Sequence, residues 1–171
     1  MRVFAQDEYA RVALCENQQW LPLVVLVGLV GCSVPVQLKA EVFKTLAALA
    51  RTPDIAATLW QSIEVSQVLA TVPSSALHAA QSAGAGGGIQ VELNEVEARN
   101  EQFPMTLAFL QLLDALTDSP APVQLGAGHR VPGVQPYLDY LRDHIFLKFN
   151  TRAYKDPAEK VRHMCAVSSL V

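Results

Sequence analysis

Residues 35–65, PVQLKAEVFKTLAALARTPDIAATLWQSIEV, contain two predicted helices joined by a connection of only a few residues. The first helix begins at Pro35, a favourable place because the first turn of a helix leaves its N–H groups unpaired anyway. Its apolar residues recur at helical spacing and form one stripe, with Lys39 and Lys44 away from it: Leu38, Val42, Leu46 and Leu49. Since short connections make consecutive helices antiparallel neighbours, this stretch predicts a packed helix pair.

The second helix of the pair begins with a recognisable start signal. Thr52 lies at the N-cap position, Pro53 at the first helical position and Asp54 in the first turn. Its predicted inward residues are Ile55, Leu59 and Ile63, with Trp60 beside them. We expect the helix to end before Val72-Pro73, because the residue before a proline is disfavoured in a helix.

The rest of the chain repeats this pattern of short helices between proline-marked turns. Further helices are predicted at 7–17, 22–30, 91–103, 105–118 and 136–149, and strand signals are nearly absent. The predicted inward residues are Tyr9, Val12 and Leu14 in the first of these helices, and Leu138, Leu141, Ile145 and Phe149 in the last. We therefore predict an all-α fold, an α-solenoid of stacked antiparallel helix pairs of the HEAT or armadillo kind.

A change in composition divides the chain into segments. Residues 74–88, SSALHAAQSAGAGGG, contain no charge and are mostly small, which predicts a flexible loop. No strand precedes its glycines and no GK[ST] follows them, so a phosphate-binding loop is not favoured. We expect one helical solenoid segment at 1–72, a flexible Gly/Ala/Ser-rich loop at 73–90 and a second solenoid segment at 91–160.

The composition narrows the possible classes of protein. The 171 residues are 51% apolar and only 17% charged, and the mean hydropathy of +0.22 is high for a small free-standing soluble domain. A net charge of −3 gives no positive excess to hold a phosphate backbone, which argues against a direct nucleic-acid partner. The three cysteines show no CxxC spacing and indicate reduced thiols. The chain is expected to be part of something larger, or a membrane protein.

The membrane alternative depends on residues 20–36, WLPLVVLVGLVGCSVPV, which are almost entirely apolar. Seventeen residues lie at the lower limit of about 17–25 for a helix that spans a bilayer. Two prolines and two glycines interrupt the run, which favours a fully buried helix at Pro22–Val30 followed by a turn at Gly31-Cys32-Ser33. No transmembrane segment is therefore expected, although a single-pass membrane protein using residues 20–36 stays open as an alternative.

No combination of residues points to catalysis. The four histidines lack the spacing of metal ligands: His78, His129, His144 and His163. We interpret His144 as an exposed helix residue rather than a general base. The glycines of 126–128, with His129 and Arg130, suit either an anion site or a route between two helices, and the second is favoured. We therefore predict no enzyme, no catalytic, cofactor-binding or metal-binding residues, no cofactor and no small-molecule substrate. The partner-binding residues are unknown.

Five stretches of the chain, in order, carry a family resemblance: ARVALCENQQW (10–20), LKAEVFKTLAAL (38–49), PDIAATLWQSIE (53–64), VELNEVEARNEQFPMTLAFLQLL (91–113) and LGAGHRVPGVQPYLDYLRDHIFLKFNTRAYKDPAEK (125–160). Together they resemble the large inner-ring scaffold nucleoporins of the nuclear pore complex, the two-hundred-and-five-kilodalton family. The resemblance implies a non-enzymatic α-helical solenoid in the nucleus, at the nuclear envelope. It also implies a structural role in nucleocytoplasmic transport, with other scaffold and linker nucleoporins as partners. It brings no catalytic residues with it.

Three departures from the family pattern shape our expectations. The loop at 74–88 is richer in glycine and alanine than expected, and Pro157 falls where the pattern continues a helix. Residues 161–171 show no counterpart in the family, so we expect a tail there and a chain that is a fragment of a longer solenoid. The alternative function is a generic HEAT- or armadillo-like adaptor that binds peptides in a groove.

Overall fold

The computed structural model describes residues 7–71 and 88–170, and among these residues every regular element is helical. The helices before the gap are α1 (Glu8–Cys15), α2 (Pro22–Val30), α3 (Val36–Leu49) and α4 (Pro53–Val65). After it come α5 (Gly88–Glu92, continued by a π-helical turn at Leu93–Glu97 and by Ala98–Asn100), α6 (Pro104–Thr117), α7 (Gln135–Tyr140, continued by a π-helical turn at Leu141–Phe146) and α8 (Pro157–Ser168). A short 3-10 turn at Phe149–Thr151 lies between α7 and α8.

The core is centred on α3 and α6, which make the most extensive contact between any two helices of the described residues. The rings of Phe43 and Phe109 meet there, with centroids 5.3 Å apart. The helices α2 and α4 cover the same centre from the N-terminal side, and α5 and α8 pack on α6. The buried apolar residues form one cluster that all these helices share. The fold is all-α, as predicted, and has the stacked-helix character of an α-solenoid segment.

Prolines mark most helix starts, although Pro35, predicted in the first turn of α3, is instead its N-cap residue. One lies in the first turn of α2, α4, α6, α7 and α8, where its missing N–H leaves no helical hydrogen bond unmade. Thr52 occupies the N-cap position of α4, although its side chain makes no capping hydrogen bond. Pro157 restarts a helix, and Asp156 caps it by accepting from the Ala158 N–H at 2.9 Å.

The predicted burial of three side chains in α1 and α3 is wrong. Tyr9 is 90% exposed, and Leu38 is also exposed although both were expected to face inward. Lys39, expected to lie away from the buried face, is instead buried and forms an ion pair with Glu92 of α5. A buried lysine is tolerated because the facing carboxylate compensates its charge.

The helix α2 has the predicted bounds but is not fully buried. Leu23, Val27 and Val30 face the core, whereas Val24 and Val25 are about 60% exposed. The helix α2 contacts α1, α3 and α4, and these contacts leave Val24 and Val25 uncovered. No helix in the described parts of the chain is both long enough and apolar enough to cross a membrane.

The inward face of α7 also differs from the prediction. Leu141 and Ile145 are buried as predicted, but Leu138 is exposed and Tyr137 and Tyr140 are buried instead. Phe149 is half-buried and lies in the 3-10 turn after the helix. The exposed Leu138 precedes the π-helical turn at 141–146, and the tyrosines on either side of it face the core. The predicted loop at 74–88 lies outside the described residues except for Gly88, which begins α5. The division of the chain at 72, 90 and 160 stays a prediction.

Candidate interaction surface

A buried ion pair fixes the long connection between α6 and α7. The Arg130 guanidinium donates from Nε to Oε1 of Glu64 and from Nη2 to Oε2, both at 2.8 Å. The Arg130 and Glu64 side chains are only 7% and 5% exposed. A two-point contact of this kind sets orientation as well as distance, so the connection is held against α4 in one geometry.

Two hydroxyl groups complete the surroundings of Glu64. Tyr137 donates to Oε2 at 2.9 Å and Thr71 donates to Oε1 at 2.6 Å. Burial alone raises the pKa of Glu64, but the hydrogen bonds from Arg130, Thr71 and Tyr137 outweigh it and lower the pKa. The carboxylate is therefore ionised at neutral pH, and α4, the connection and α7 are joined at one point.

Glycine at position 126 makes this geometry possible. Gly126 has a φ of +82°, and a Cβ there would lie 2.6 Å from Cζ of Arg130. Arg130 also donates from Nη1 to the carbonyls of Val131 and Gly133 at 2.8 Å each, so the guanidinium has little freedom to move aside. The stretch is thus a folded route between two helices, and Arg130 is used within the chain rather than presented to an anion.

Two carboxylates from other helices cap the start of α6. Glu97, at the end of the π-helical turn of α5, accepts from the N–H of Met105 at 2.6 Å and from the N–H and hydroxyl of Thr106. Glu159 of α8 accepts from the N–H of Phe103 at 2.9 Å. Burial raises the pKa of Glu97 to about 7. The first turn of α6 therefore depends on both α5 and α8.

The histidines are dispersed through the structure. His144 is half-buried rather than exposed as predicted, and its ring stacks on Tyr140 at 5.7 Å. His163 is buried beside Tyr154, whose hydroxyl lies 2.8 Å from Nδ1, and burial lowers the pKa of His163 to about 4. His129 is exposed in the connection, and His78 lies outside the described residues. Within residues 7–71 and 88–170, no three His, Cys, Asp or Glu side chains are grouped as metal ligands.

Among the described residues, an exposed helix face and a groove are candidate surfaces for a partner. The exposed side of α2 carries Leu21, Val24, Val25 and Gly28 at helical spacing, a set that we call the α2 stripe. Between α6 and α8 lies an open groove of about 670 Å³. Apolar residues such as Leu107 and Val161 line the groove together with charged ones, Lys44, Asp114 and Arg162 among them.

The sequence was compared with known protein families and curated proteins. The family model described as "Nuclear pore complex scaffold, nucleoporins 186/192/205" matches residues 1–171. The chain belongs to this scaffold nucleoporin family. Two relatives named nuclear pore complex protein Nup205 share 52% identity (Homo sapiens) and 40% identity (Drosophila melanogaster) with it, each over 158 residues and 92% of the chain. Nucleoporin nup186 of Schizosaccharomyces pombe shares 28% identity over 159 residues and 81% of the chain.

These scaffold nucleoporins are much longer than the present chain. It spans 8% of the human relative, 7% of the Drosophila relative and 10% of the S. pombe relative. The family match includes residues 161–171, for which the sequence suggested no counterpart. The helix α8 likewise runs from Pro157 to Ser168 without a break at Lys160.

Proposed function

We propose that this chain acts as a structural segment of the nuclear pore scaffold, located at the nuclear envelope and supporting nucleocytoplasmic transport through its architecture. The observation that carries the proposal is the match of a nuclear pore scaffold family over residues 1–171. Relatives that share 52% and 40% identity with the chain are both named as nuclear pore complex proteins.

The packing of the described residues supports the proposal of a structural segment with one fixed arrangement of helices. Ion pairs and carboxylate caps join segments that lie 53 to 66 residues apart, as in Lys39 to Glu92, Phe103 to Glu159 and Glu64 to Arg130. Such long-range polar contacts fix one arrangement of helices, because a buried charge without its partner is costly. A segment with one defined shape is what a scaffold requires.

The proposed partners are other scaffold and linker nucleoporins, bound through exposed surfaces of the helices. The α2 stripe and the groove between α6 and α8 are the candidate surfaces, since the stripe is an exposed apolar face and the groove is open with a mixed polar and apolar lining. We also propose that the chain has no enzymatic activity, because its family is defined by a scaffold role.

Immunofluorescence tests this proposal directly. An antibody raised against residues 136–155 is applied to cells of the source organism together with an antibody against an established nucleoporin. We expect a punctate nuclear rim on which the two signals coincide, and preincubation with the immunising peptide should remove the first signal. Diffuse cytoplasmic staining, or staining of another organelle, would contradict the proposed function.

A further inference from the structure

Two buried polar side chains near the first turn of α6 have no hydrogen-bond partner among the described residues. Tyr140 of α7 is only 1% exposed, and its hydroxyl makes no hydrogen bond of normal geometry there. The Nη1 and Nη2 atoms of Arg152, which follows the 3-10 turn, are buried and unpaired as well. An unpaired buried donor is costly, so these groups favour any rearrangement that gives them a partner.

The ring of Tyr140 fixes the place of its hydroxyl. Phe109 of α6 makes a T-shaped contact with the ring, with centroids 5.9 Å apart, and His144 stacks on it at 5.7 Å. The Thr106 hydroxyl lies beside that of Tyr140 but donates to the carboxylate of Glu97. The Tyr140 hydroxyl is therefore held next to the group that surrounds Glu97, without bonding to it.

Arg152 approaches the same place from the opposite side. Its guanidinium carbon lies 5.6 Å from the centroid of the Phe103 ring, a cation–π contact that supplies no hydrogen bond. Burial lowers the pKa of Arg152, whereas the nearby Tyr140, Tyr154 and Glu97 raise it. The guanidinium thus lies within electrostatic reach of both the tyrosine hydroxyl and the Glu97 carboxylate.

A hydroxyl group can join a carboxylate to a guanidinium, because it donates one hydrogen bond and accepts others. We propose that Tyr140 forms this bridge once Glu97 has lost its proton: its hydroxyl donates to the Glu97 carboxylate and accepts from Arg152. The bridge gives both unpaired side chains a partner, and it gives the buried carboxylate a further donor and a countercharge. When Glu97 is protonated, it no longer attracts the bridge. The junction of α5, α6, α7 and α8 is therefore a pH-sensitive switch.

Other titratable groups face the three bridge residues. Burial and, less strongly, the charge of Glu159 on α8 raise the pKa of Glu97 to about 7. Arg152 is faced by two histidines and two tyrosines: His144, His163, Tyr140 and Tyr154. Burial lowers the pKa of both histidines and raises that of both tyrosines, so none of these four changes its charge between pH 7 and 9.

Carbon-13 NMR of the glutamate carboxyl groups tests the bridge in the 171-residue protein. The Glu97 signal is the one missing from the variant Glu97→Gln, and its chemical shift is followed from pH 5 to 9. We expect a wild-type midpoint near 7. Tyr140→Phe removes the bridging hydroxyl and keeps the ring, so the variant should fold. Its Glu97 midpoint should rise by about one pH unit, which is a tenfold weaker acid.

Arg152→Met tests the other end of the bridge. Removal of the countercharge should also raise the Glu97 midpoint, by about one pH unit. Tyr154→Phe is the matched control, because its hydroxyl lies near Arg152 but pairs with Nδ1 of His163 at 2.8 Å. This control should leave the Glu97 midpoint within about 0.2 units of wild type.

Urea unfolding gives a second readout of Tyr140→Phe. A higher pKa of Glu97 in the folded chain extends the loss of stability to higher pH. The variant should therefore match wild type at pH 5, whereas at pH 9 its folding equilibrium constant should be about tenfold smaller than that of wild type.

Three results would overturn the bridge. An unchanged Glu97 midpoint in Tyr140→Phe would show that the hydroxyl does not stabilise the ionised carboxylate. An equal rise in Tyr154→Phe would show that the effect is not specific to Tyr140. The same loss of stability at pH 5 and pH 9 in Tyr140→Phe would assign the hydroxyl to packing alone.

Discussion

The Glu64 carboxylate accepts hydrogen bonds from Arg130, Tyr137 and Thr71 while it is shielded from water. The loss of one donor therefore does more than remove a contact, because the remaining negative charge stays buried with fewer partners. Arg130 matters most among the three donors, since it brings the only compensating charge to this carboxylate among the interactions described above.

Replacement of Arg130 by methionine should destabilise the protein by about 3 kcal/mol, as expected when one partner of a buried ion pair is removed. The midpoint of urea unfolding, followed by circular dichroism, measures this change. The control Arg142→Met removes an exposed ion pair with Asp139 and Asp143 and should shift the midpoint little. The double variant Glu64→Gln/Arg130→Met should recover part of the loss, because no uncompensated charge is then buried. No recovery would contradict this account.

Glu97 should make the stability depend on pH. Burial raises its pKa from 4.5 to about 7 in the folded chain, so its protonated form favours folding. The stabilisation is complete below pH 4.5 and is lost as the pH rises through 7, a change on the order of 3 kcal/mol. The lowered pKa of His163 acts in the opposite direction, adding stability as the pH rises from about 4 to 6.5, so the test is the difference from wild type. Glu97→Gln should gain stability relative to wild type as the pH rises from 5 to 8, whereas the exposed Glu41→Gln should follow the wild-type profile. Urea midpoints across this pH range test the prediction, and an unchanged profile in Glu97→Gln would refute it.

At the scale of elements, the geometry of the connection between α6 and α7 depends on the absence of a side chain at positions 126 and 128. Gly126 and Gly128 both have a positive φ, +82° and +86°, so alanine strains either position. Only at Gly126 would a Cβ meet the Arg130 guanidinium; at Gly128 it would meet nothing within 4 Å. An alanine at position 128 therefore strains only the backbone, whereas an alanine at position 126 also displaces the Arg130–Glu64 ion pair.

We expect Gly126→Ala to cost about 2 kcal/mol more than Gly128→Ala, because only the first substitution displaces Arg130 from Glu64. Gly128→Ala should lose about 1 kcal/mol through its backbone alone. Thermal or urea unfolding of the two variants gives the comparison. Equal losses would mean that Arg130 accommodates the new methyl group.

Helix starts and the all-α class follow from local patterns of proline and apolar spacing, and these predictions succeed. The burial of charged residues was not predicted, although their spacing from apolar residues in the same helix places them on the buried face. Glu97 follows Ile89 and Leu93 at intervals of four, so it lies on the buried face of α5. Lys39 likewise lies three residues after Val36.

Lys39 was wrongly placed away from the buried face because a charge is buried only when a partner compensates it. Glu92, the partner of Lys39, is 53 residues away in the sequence, and Arg130 is 66 residues from Glu64. Local spacing identifies the face of a helix but not its distant partner. The π-helical turns were missed for a related reason, since a regular helical period contains no sign of the extra residue.

At the scale of the whole molecule, the protection of backbone amides against hydrogen exchange should decrease from the central helices to the outer ones. The helices α3 and α6 bury seven and eight residues, respectively, whereas α1 buries only Arg11. Amide hydrogen exchange followed by mass spectrometry should therefore be slowest in α3 and α6 and fastest in α1 among the eight helices. Exchange in α1 as slow as in α6 would show that the N-terminal helix is part of the cooperative core.

The distance between Glu64 and Arg130 along the chain has a consequence for biosynthesis. The ribosome makes Glu64 66 residues before its countercharge, which at about 5–20 residues per second is a delay on the order of several seconds. During that interval α4 cannot bury this carboxylate favourably, so its docking should wait for the arginine to emerge. The start of α6 waits similarly for Glu159, made 56 residues after Phe103. The order of synthesis thus places both of these polar contacts after the emergence of the C-terminal half.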